Sequence, residues 1–557
     1  MKAITFAGFI MKIKNIVLLM CIITAQASTT HINADISLDN VGSSDFDIFD
    51  DNNEETNNYL DTNEFQILRS AVSPENIIDL LQEIGAFNLL QLDFYLRTYV
   101  LNTRDVLDLP AFVKNRCYEY QCWVVGAQLF YDQTSGVYFS PQHDEIEHYL
   151  AIGEENVLEA LDLLINKVQQ LFPTFQFPFI DLFDIFGNAR VQERRMGAMF
   201  QVVRNFNDTR FTFMVPFYYR ERNYFLTDAD REAIEALVGS TTEEDQAKLQ
   251  KDHLISDKIG LGDTRLMLDF PCIDKEWYCS RLGIFATIPT AVTFVNGILG
   301  SSYKSKCPPQ QPIFSFTDIF NFGSNPSTQQ QAVDTAVEFL LGALDRLSAI
   351  LLDKPLGNNG HFGIAPYYIS IVPLSFFIKR PWAEAFEIRS RMSLEYLFPK
   401  TERRYFILQG VAQQFAERNF SDPAQATANL AFLETTFVNQ FYPYAIEATV
   451  QPGLIFWMNS RACYDGPCFS FQVGTDTYLQ TSEHLRSLQV SNALRPFLNT
   501  CKEQGFWAYQ STVYANLAWT IHRPDDNIIV GLHLADVVWN YGIGSEFTVA
   551  LTIEKNF

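Results

Sequence analysis

Phe547-Thr-Val-Ala-Leu-Thr-Ile-Glu-Lys-Asn-Phe557 alternates along its whole length and stops on an aromatic residue. Phe547, Val549, Leu551, Ile553, Lys555 and Phe557 fall on one face, and Thr548, Ala550, Thr552, Glu554 and Asn556 on the other. Successive side chains of a strand point to opposite sides, so the pattern predicts a strand with one apolar and one polar face. In water such a terminal aromatic would fray. Seated at a membrane interface it is held, so the expectation is a strand that crosses a bilayer.

Working back from this strand, alternating or aromatic-rich segments give twelve strand candidates: 118–132, 194–206, 210–222, 260–271, 280–292, 362–377, 385–398, 444–459, 468–480, 506–521, 527–540 and 546–557. Each approaches or exceeds the roughly 9–11 residues of a tilted membrane strand, and the number is even, as in single-chain bacterial barrels. In 385–398, Phe386, Ile388, Met392, Leu394, Tyr396 and Phe398 oppose Glu387, Arg389, Arg391 and Glu395. Trp507 and Tyr509 near one end of 506–521, with Trp519 near the other, suit two aromatic girdles. The connections alternate as well. Asn207-Asp-Thr, 272–279, 378–384, 460–467 and His522-Arg-Pro-Asp-Asp are short, whereas the intervening links are long apart from 541–545. Short periplasmic turns and long outer loops are the asymmetry of an outer-membrane barrel. Within the long links, 157–172, 233–238, 329–352 and 424–441 read as helices, two of them opened by Asn325-Pro326 and Asp422-Pro423. Their apolar faces are expected to pack together as a cap.

The closing strand resembles the C-terminal signature of Gram-negative outer-membrane β-barrels, with Lys555 standing where that group prefers Tyr or an apolar residue. The resemblance implies that Phe547, Val549, Leu551, Ile553 and Phe557 are read by the barrel-assembly machinery. Gly260-Leu-Gly-Asp-Thr-Arg-Leu-Met-Leu-Asp-Phe270 resembles a strand opening of the long-chain fatty-acid transporter barrels and of the related family of meta-pathway phenol degradation. That likeness implies passage of small, apolar solutes. The Asn-Pro-Ala hatch motif of the fatty-acid transporter is missing here, which leaves its mechanism outside the resemblance. The expected fold class is therefore all-β, an antiparallel transmembrane β-barrel of about twelve strands with helical extracellular loop insertions.

The N-terminus fits export. Lys12 and Lys14 precede an apolar core at 16–23 and an Ala25-Gln26-Ala27 cleavage site, so 1–27 reads as a signal peptide, with Met11 as a second candidate start. Residues 28–66 read as a disordered acidic tether, rich in runs such as Asp45-Phe-Asp-Ile-Phe-Asp-Asp. Residues 67–116 read as a helical segment opened by Ser73-Pro74, placed in the periplasm or plugging the lumen, and 117–557 as the barrel. A net charge of −24 argues against nucleic acid as a partner. Phe 48, Tyr 24 and Trp 7 make the chain rich in aromatics, yet mean hydropathy is only −0.03, as alternation requires. Outer-membrane lipid and a small-molecule solute are the expected partners, and no stretch offers the roughly twenty apolar residues of a spanning helix.

Nine cysteines occur, eight once Cys21 is cleaved away. Cys117 with Cys122, Cys272 with Cys279, and Cys463 with Cys468 read as local disulfides in an oxidising compartment, leaving Cys307 and Cys501 for a long-range pair. None has CxxC spacing, so no metal is expected. Asp263, Arg265, Asp269, Glu387, Arg389, Arg391, Glu395 and Glu447 fall on inward-facing positions. They read either as a charged lumen that guides solute or as internal ion pairs filling a narrow barrel. His143-Asp-Glu-Ile-Glu-His148 is too widely spaced for a helical metal pair, and no His-x-Ser of the outer-membrane phospholipase type occurs. No catalysis and no cofactor are expected. The leading function is a channel or transporter for small solutes. A barrel-anchored adhesin binding through its outer loops is the alternative, and a soluble secreted β-rich binding protein a third reading.

Overall fold

The computed structural model describes residues 73–90, 104–108, 123–135, 191–238, 254–291 and 352–556 with short gaps, plus isolated positions between 242 and 350. The strands are β1 (Trp123–Ser135), β2 (Val191–Phe206), β3 (Thr209–Tyr224), β4 (Ile255–Leu261), β5 (Thr264–Lys275), β6 (Tyr278–Ile288), β7 (Gly363–Pro373), β8 (Phe386–Leu397), β9 (Lys400–Phe406), β10 (Tyr444–Gln451), β11 (Ile455–Asp465), β12 (Phe469–Gln480), β13 (His484–Leu488), β14 (Ala508–His522), β15 (Asn527–Tyr541) and β16 (Ser545–Asn556). The described helices are α1 (Pro74–Glu83), α2 (Ala86–Leu90), α3 (Asp228–Val238), α4 (Val411–Ala416) and α5 (Ala426–Phe441).

Twelve strands pair in the order β1-β2-β3-β5-β6-β7-β8-β11-β12-β14-β15-β16, and β16 returns to β1, with Val125 opposite Lys555 and Leu129 opposite Leu551. The closed antiparallel barrel has no free edge, which is what lets a sheet sit in lipid. The twelve expected segments are its strands. Two differ from the sequence reading. The 444–459 segment is two strands, because Pro452 and Gly453 interrupt it and only β11 belongs to the barrel. The 260–271 segment begins at a bulge: β3 pairs with β4 above and β5 below, and Gly262 donates to the Pro216 carbonyl at 2.8 Å.

The outward face is apolar and exposed. Leu129, Phe200, Leu282, Met392, Leu394, Leu534, Leu551 and Ile553 face out along their strands, and a monomer in water rarely exposes a continuous belt of this kind. Exposed aromatics frame the belt. Trp123, Phe206, Trp277, Phe376, Phe377, Trp382 and Trp519 lie at the short-turn rim. At the other rim Trp507 stacks on Tyr541 at 4.2 Å.

Beyond the long-loop rim, β9, β10 and β13 form a separate three-stranded sheet continuing from β8, β11 and β12. Between β9 and β10 stand α4 and α5, and α1 packs against α5. Phe87 of α2 meets Phe420 at 4.8 Å and Phe415 of α4 at 5.8 Å. Local chemistry sets these helices. Ser73 Oγ accepts from Asn76 N at 3.3 Å ahead of α1. At α3, Thr227 Oγ1 accepts from Asp230 N at 3.1 Å while Asp230 accepts from Thr227 N at 2.9 Å, a reciprocal capping box. The expected helix at 157–172 lies outside the described residues.

Cys272, Cys279, Cys463 and Cys468 are free thiols, which departs from the expected local disulfides. The ladder explains it: Cys279 stands opposite Asp274, and Cys463 stands opposite Gln472, so neither has its intended partner across from it. Cys117, Cys122, Cys307 and Cys501 lie outside the described residues.

Candidate functional site: the lumen wall and the turn at 104–108

Inward-facing side chains divide the lumen into two walls. On β1 to β7, Phe130, Met199, Met214, Met267, Phe285 and Tyr367 make an apolar surface. On β11 to β15 the wall is polar. Tyr514 donates to Asn459 at 2.7 Å, and Asn516 donates to Gln472 at 3.3 Å and also meets His533.

Residues 104–108 lie between these walls as a single turn. Asp105 Oδ1 accepts from Leu107 N, and the Asp105 carbonyl accepts from Asp108 N, both at 3.0 Å. Asp and Asn favour such local side-chain turns, so Asp105 shapes the segment by itself. Val106 and Leu107, 1% and 3% exposed, bury themselves in the apolar wall. Each such burial contributes roughly 1.5–3 kcal/mol. Arg104 turns the other way. Its guanidinium pairs with Asp476 on β12, reaches Gln510 on β14 at 3.5 Å, and lies 5.6 Å over the Tyr478 ring. Arg265 on β5 donates to Asp108 at 2.7 Å and to the Leu107 carbonyl at 3.2 Å. Arg195 on β2 donates to the Arg104 carbonyl while pairing with Asp132 and, at 3.1 Å, with Glu546.

The charges of the turn are thus matched, group by group, by the wall. On its outer side lies a cavity of about 60 Å³, lined among others by Asp105, Asp108, Arg220, Arg222 and His361. That suits a few waters and falls far below the roughly 300 Å³ of a small-molecule site.

The sequence-selected residues are distributed through this scheme. Arg265 holds the turn, and Glu395 accepts from Thr287 at 2.6 Å with Arg265 at 3.6 Å. Lower down, Asp269 gathers Arg210 at 2.9 Å, Arg281 and the Tyr367 hydroxyl at 2.8 Å. Near the short-turn rim Arg389 pairs with Glu387 and, at 2.9 Å, with Asp465. Arg391 spreads over the rings of Tyr367 and Trp457, each at 4.9 Å. Asp263 sits at the β4–β5 bulge, where it accepts from Asn358 N at 2.7 Å and Ala291 N at 3.3 Å. It pins two connections and does not line an open path. Glu447 departs from its expected place. It lies on β10 of the outer sheet beside Arg403 at 3.5 Å, because the 444–459 segment breaks below it. Phe547, Leu551 and Ile553 face outward and exposed, with Val549 between them, while Phe557 lies outside the described residues.

Arg104, Asp108, Asp132, Arg195, Asp476 and Glu546 were not singled out from sequence. Asp132, Asp476 and Glu546 stand at inward positions of alternating strands, so the parity argument would have found them. Arg104 and Asp108 belong to a turn with no period to read.

No protein-family model matches the chain, and no curated protein matches it in sequence. Among solved structures, an outer-membrane channel from Pseudomonas putida F1 is 9% identical, with 80% of this chain and 100% of that chain covered and a TM-score of 0.37. The toluene transporter TodX of Pseudomonas putida is 7% identical, covering 83% and 97%, with a TM-score of 0.29. The translocator domain of the autotransporter NalP from Neisseria meningitidis is 5% identical, covering 79% and 89%, with a TM-score of 0.28.

Proposed function

We propose that this chain is an outer-membrane channel for small solutes whose lumen is held shut by its own residues 104–108. The carrying observation is the fit of that turn: its cation meets Asp476, its acid meets Arg265, and its apolar pair fills the pocket between. A barrel serving only as an anchor has no need of a filling matched group by group. Membrane lipid surrounds the apolar belt, and the assembly machinery reads the outward face of β16. Charges on the wall favour a polar or amphiphilic solute over a purely apolar one, since unpaired buried charge is costly.

The test is single-channel recording of the refolded mature protein in a planar bilayer. Wild type is expected to open briefly and rarely, and Arg104→Ala to give discrete, long-lived steps. Silence from both, with insertion demonstrated, would leave the barrel as an anchor.

The adhesin reading has its own observation. Beyond the barrel, Arg486 of β13 and Arg495 line an open recess of about 310 Å³. Cell-surface binding lost on Arg486→Ala, with conductance absent throughout, would favour it.

A further inference from the structure

The turn that fills the lumen is itself a short peptide, and the wall grips it as a binding site grips a ligand. Arg104 enters a socket formed by Asp476, Gln510 and the face of Tyr478. Trp457 and Asn459 donate to the same Asp476 carboxylate at 3.1 and 3.0 Å, so the acid is oriented before any cation arrives. Opposite, Arg265 takes the Asp108 carboxylate and the Leu107 carbonyl. Arg195 takes the carbonyl of Arg104. The apolar wall receives Val106 and Leu107. One place therefore offers a seat for a cation, a seat for a carboxylate, donors for two peptide carbonyls and a pocket for apolar side chains.

Closing a pore requires none of this chemistry. Well-packed apolar residues serve as well as a buried ion pair, and often better. The pairing matters when the turn leaves, because Asp476 then loses its cation and Arg265 keeps only the longer contact to Glu395 at 3.6 Å. A solute bearing the same groups re-pairs them, whereas a hydrocarbon does not.

We infer that the lumen admits short peptides with a cationic end, a carboxylate end and apolar side chains between, and that 104–108 occupies their site as an internal competitor. The inference rests on the channel reading and names its solute.

The experiment uses full-length protein in planar bilayers carrying Leu107→Ser, which loosens the turn and leaves the wall intact. Val106→Asn serves as a second loosened form. Insertion is verified by heat-modifiable mobility. The probes are the peptides Arg-Asp-Val-Leu-Asp and Arg-Asp-Gly-Gly-Asp, with toluene as the apolar control. The first peptide is expected to interrupt the current at concentrations at least about tenfold below the second, and toluene not to interrupt it. Adding Asp476→Asn is expected to weaken the block by about tenfold or more. Current that both peptides block equally, or that neither blocks, overturns the peptide inference and leaves the channel standing. Absence of current from both inserted variants overturns the channel reading and the inference with it.

Discussion

Arg104 and Asp476 carry the proposed closure at the scale of single residues. Each is fully buried, and removing one partner of such a pair leaves the other charge uncompensated, at a cost of about 3–5 kcal/mol. Asp476→Asn is therefore expected to shift the turn toward release and raise the open fraction at least about tenfold, read as dwell times in single-channel records. Arg265→Ala should act in the same direction, because Arg265 holds both Asp108 and Glu395. On the other face, Leu551 stands mid-strand, opposite Leu129 on one side and Leu532 on the other, and is exposed. Leu551→Arg would place a charge near the bilayer midplane and cost roughly 2–4 kcal/mol, measurable as a lower denaturation midpoint in vesicles.

At the level of elements, the outer sheet has an electrostatic lock of its own. Burial disfavours the Glu402 carboxylate, but Arg404 at 2.7 Å and His361 at 3.7 Å outweigh it and hold the group at about 2. Arg404 also reaches Glu483 at 3.0 Å, tying the lock to the start of β13. A carboxyl depressed on folding stabilises in its charged form. That contribution is complete above its ordinary value of 4.5 and fades as pH falls from there through about 2. Amide exchange in β9 and β10 should thus accelerate over that interval, by an amount on the order of 3 kcal/mol. Glu402→Gln should remove the dependence. Among the barrel strands, β6 and β7 approach closely at one glycine. A Cβ on Gly283 would lie 2.4 Å from the Tyr367 ring, so Gly283→Val is expected to displace Tyr367 from Asp269 and lower the melting temperature.

For the whole molecule, the described chain appears at three levels: in the cap as α1 and α2, in the lumen at 104–108, and at the short-turn rim where β1 begins. The barrel closes through β1 and β16 without help from the first two. Deleting 74–108 is expected to leave a heat-modifiable, membrane-inserted barrel with permanently raised conductance. Loss of insertion in that variant would show that the segment is needed to build the barrel, and not only to close it.

The barrel was legible because two one-dimensional signals report directly on it. Period-two alternation, clearest in 547–557 and 385–398, separates the lipid face from the lumen face. The alternation of short and long links assigns the rims. Both follow from local geometry, since a strand's side chains and a hairpin's length need no distant partner to be defined. Breaks at 452–453 and at the Gly262 bulge were less visible, because Pro and Gly mark an interruption without saying which half stays in the barrel. That cost Glu447 its expected place. Cysteine spacing says less than it suggests at 272–279 and 463–468 for a related reason: nearness in sequence does not set two positions opposite each other, and the ladder places Cys279 across from Asp274 and Cys463 across from Gln472. Only the tertiary structure revealed the turn at 104–108 and its partners, because Arg104 and Asp476 lie 372 residues apart. A contact across such a separation leaves no pattern in a single chain's sequence, because only the folded barrel brings the two positions together.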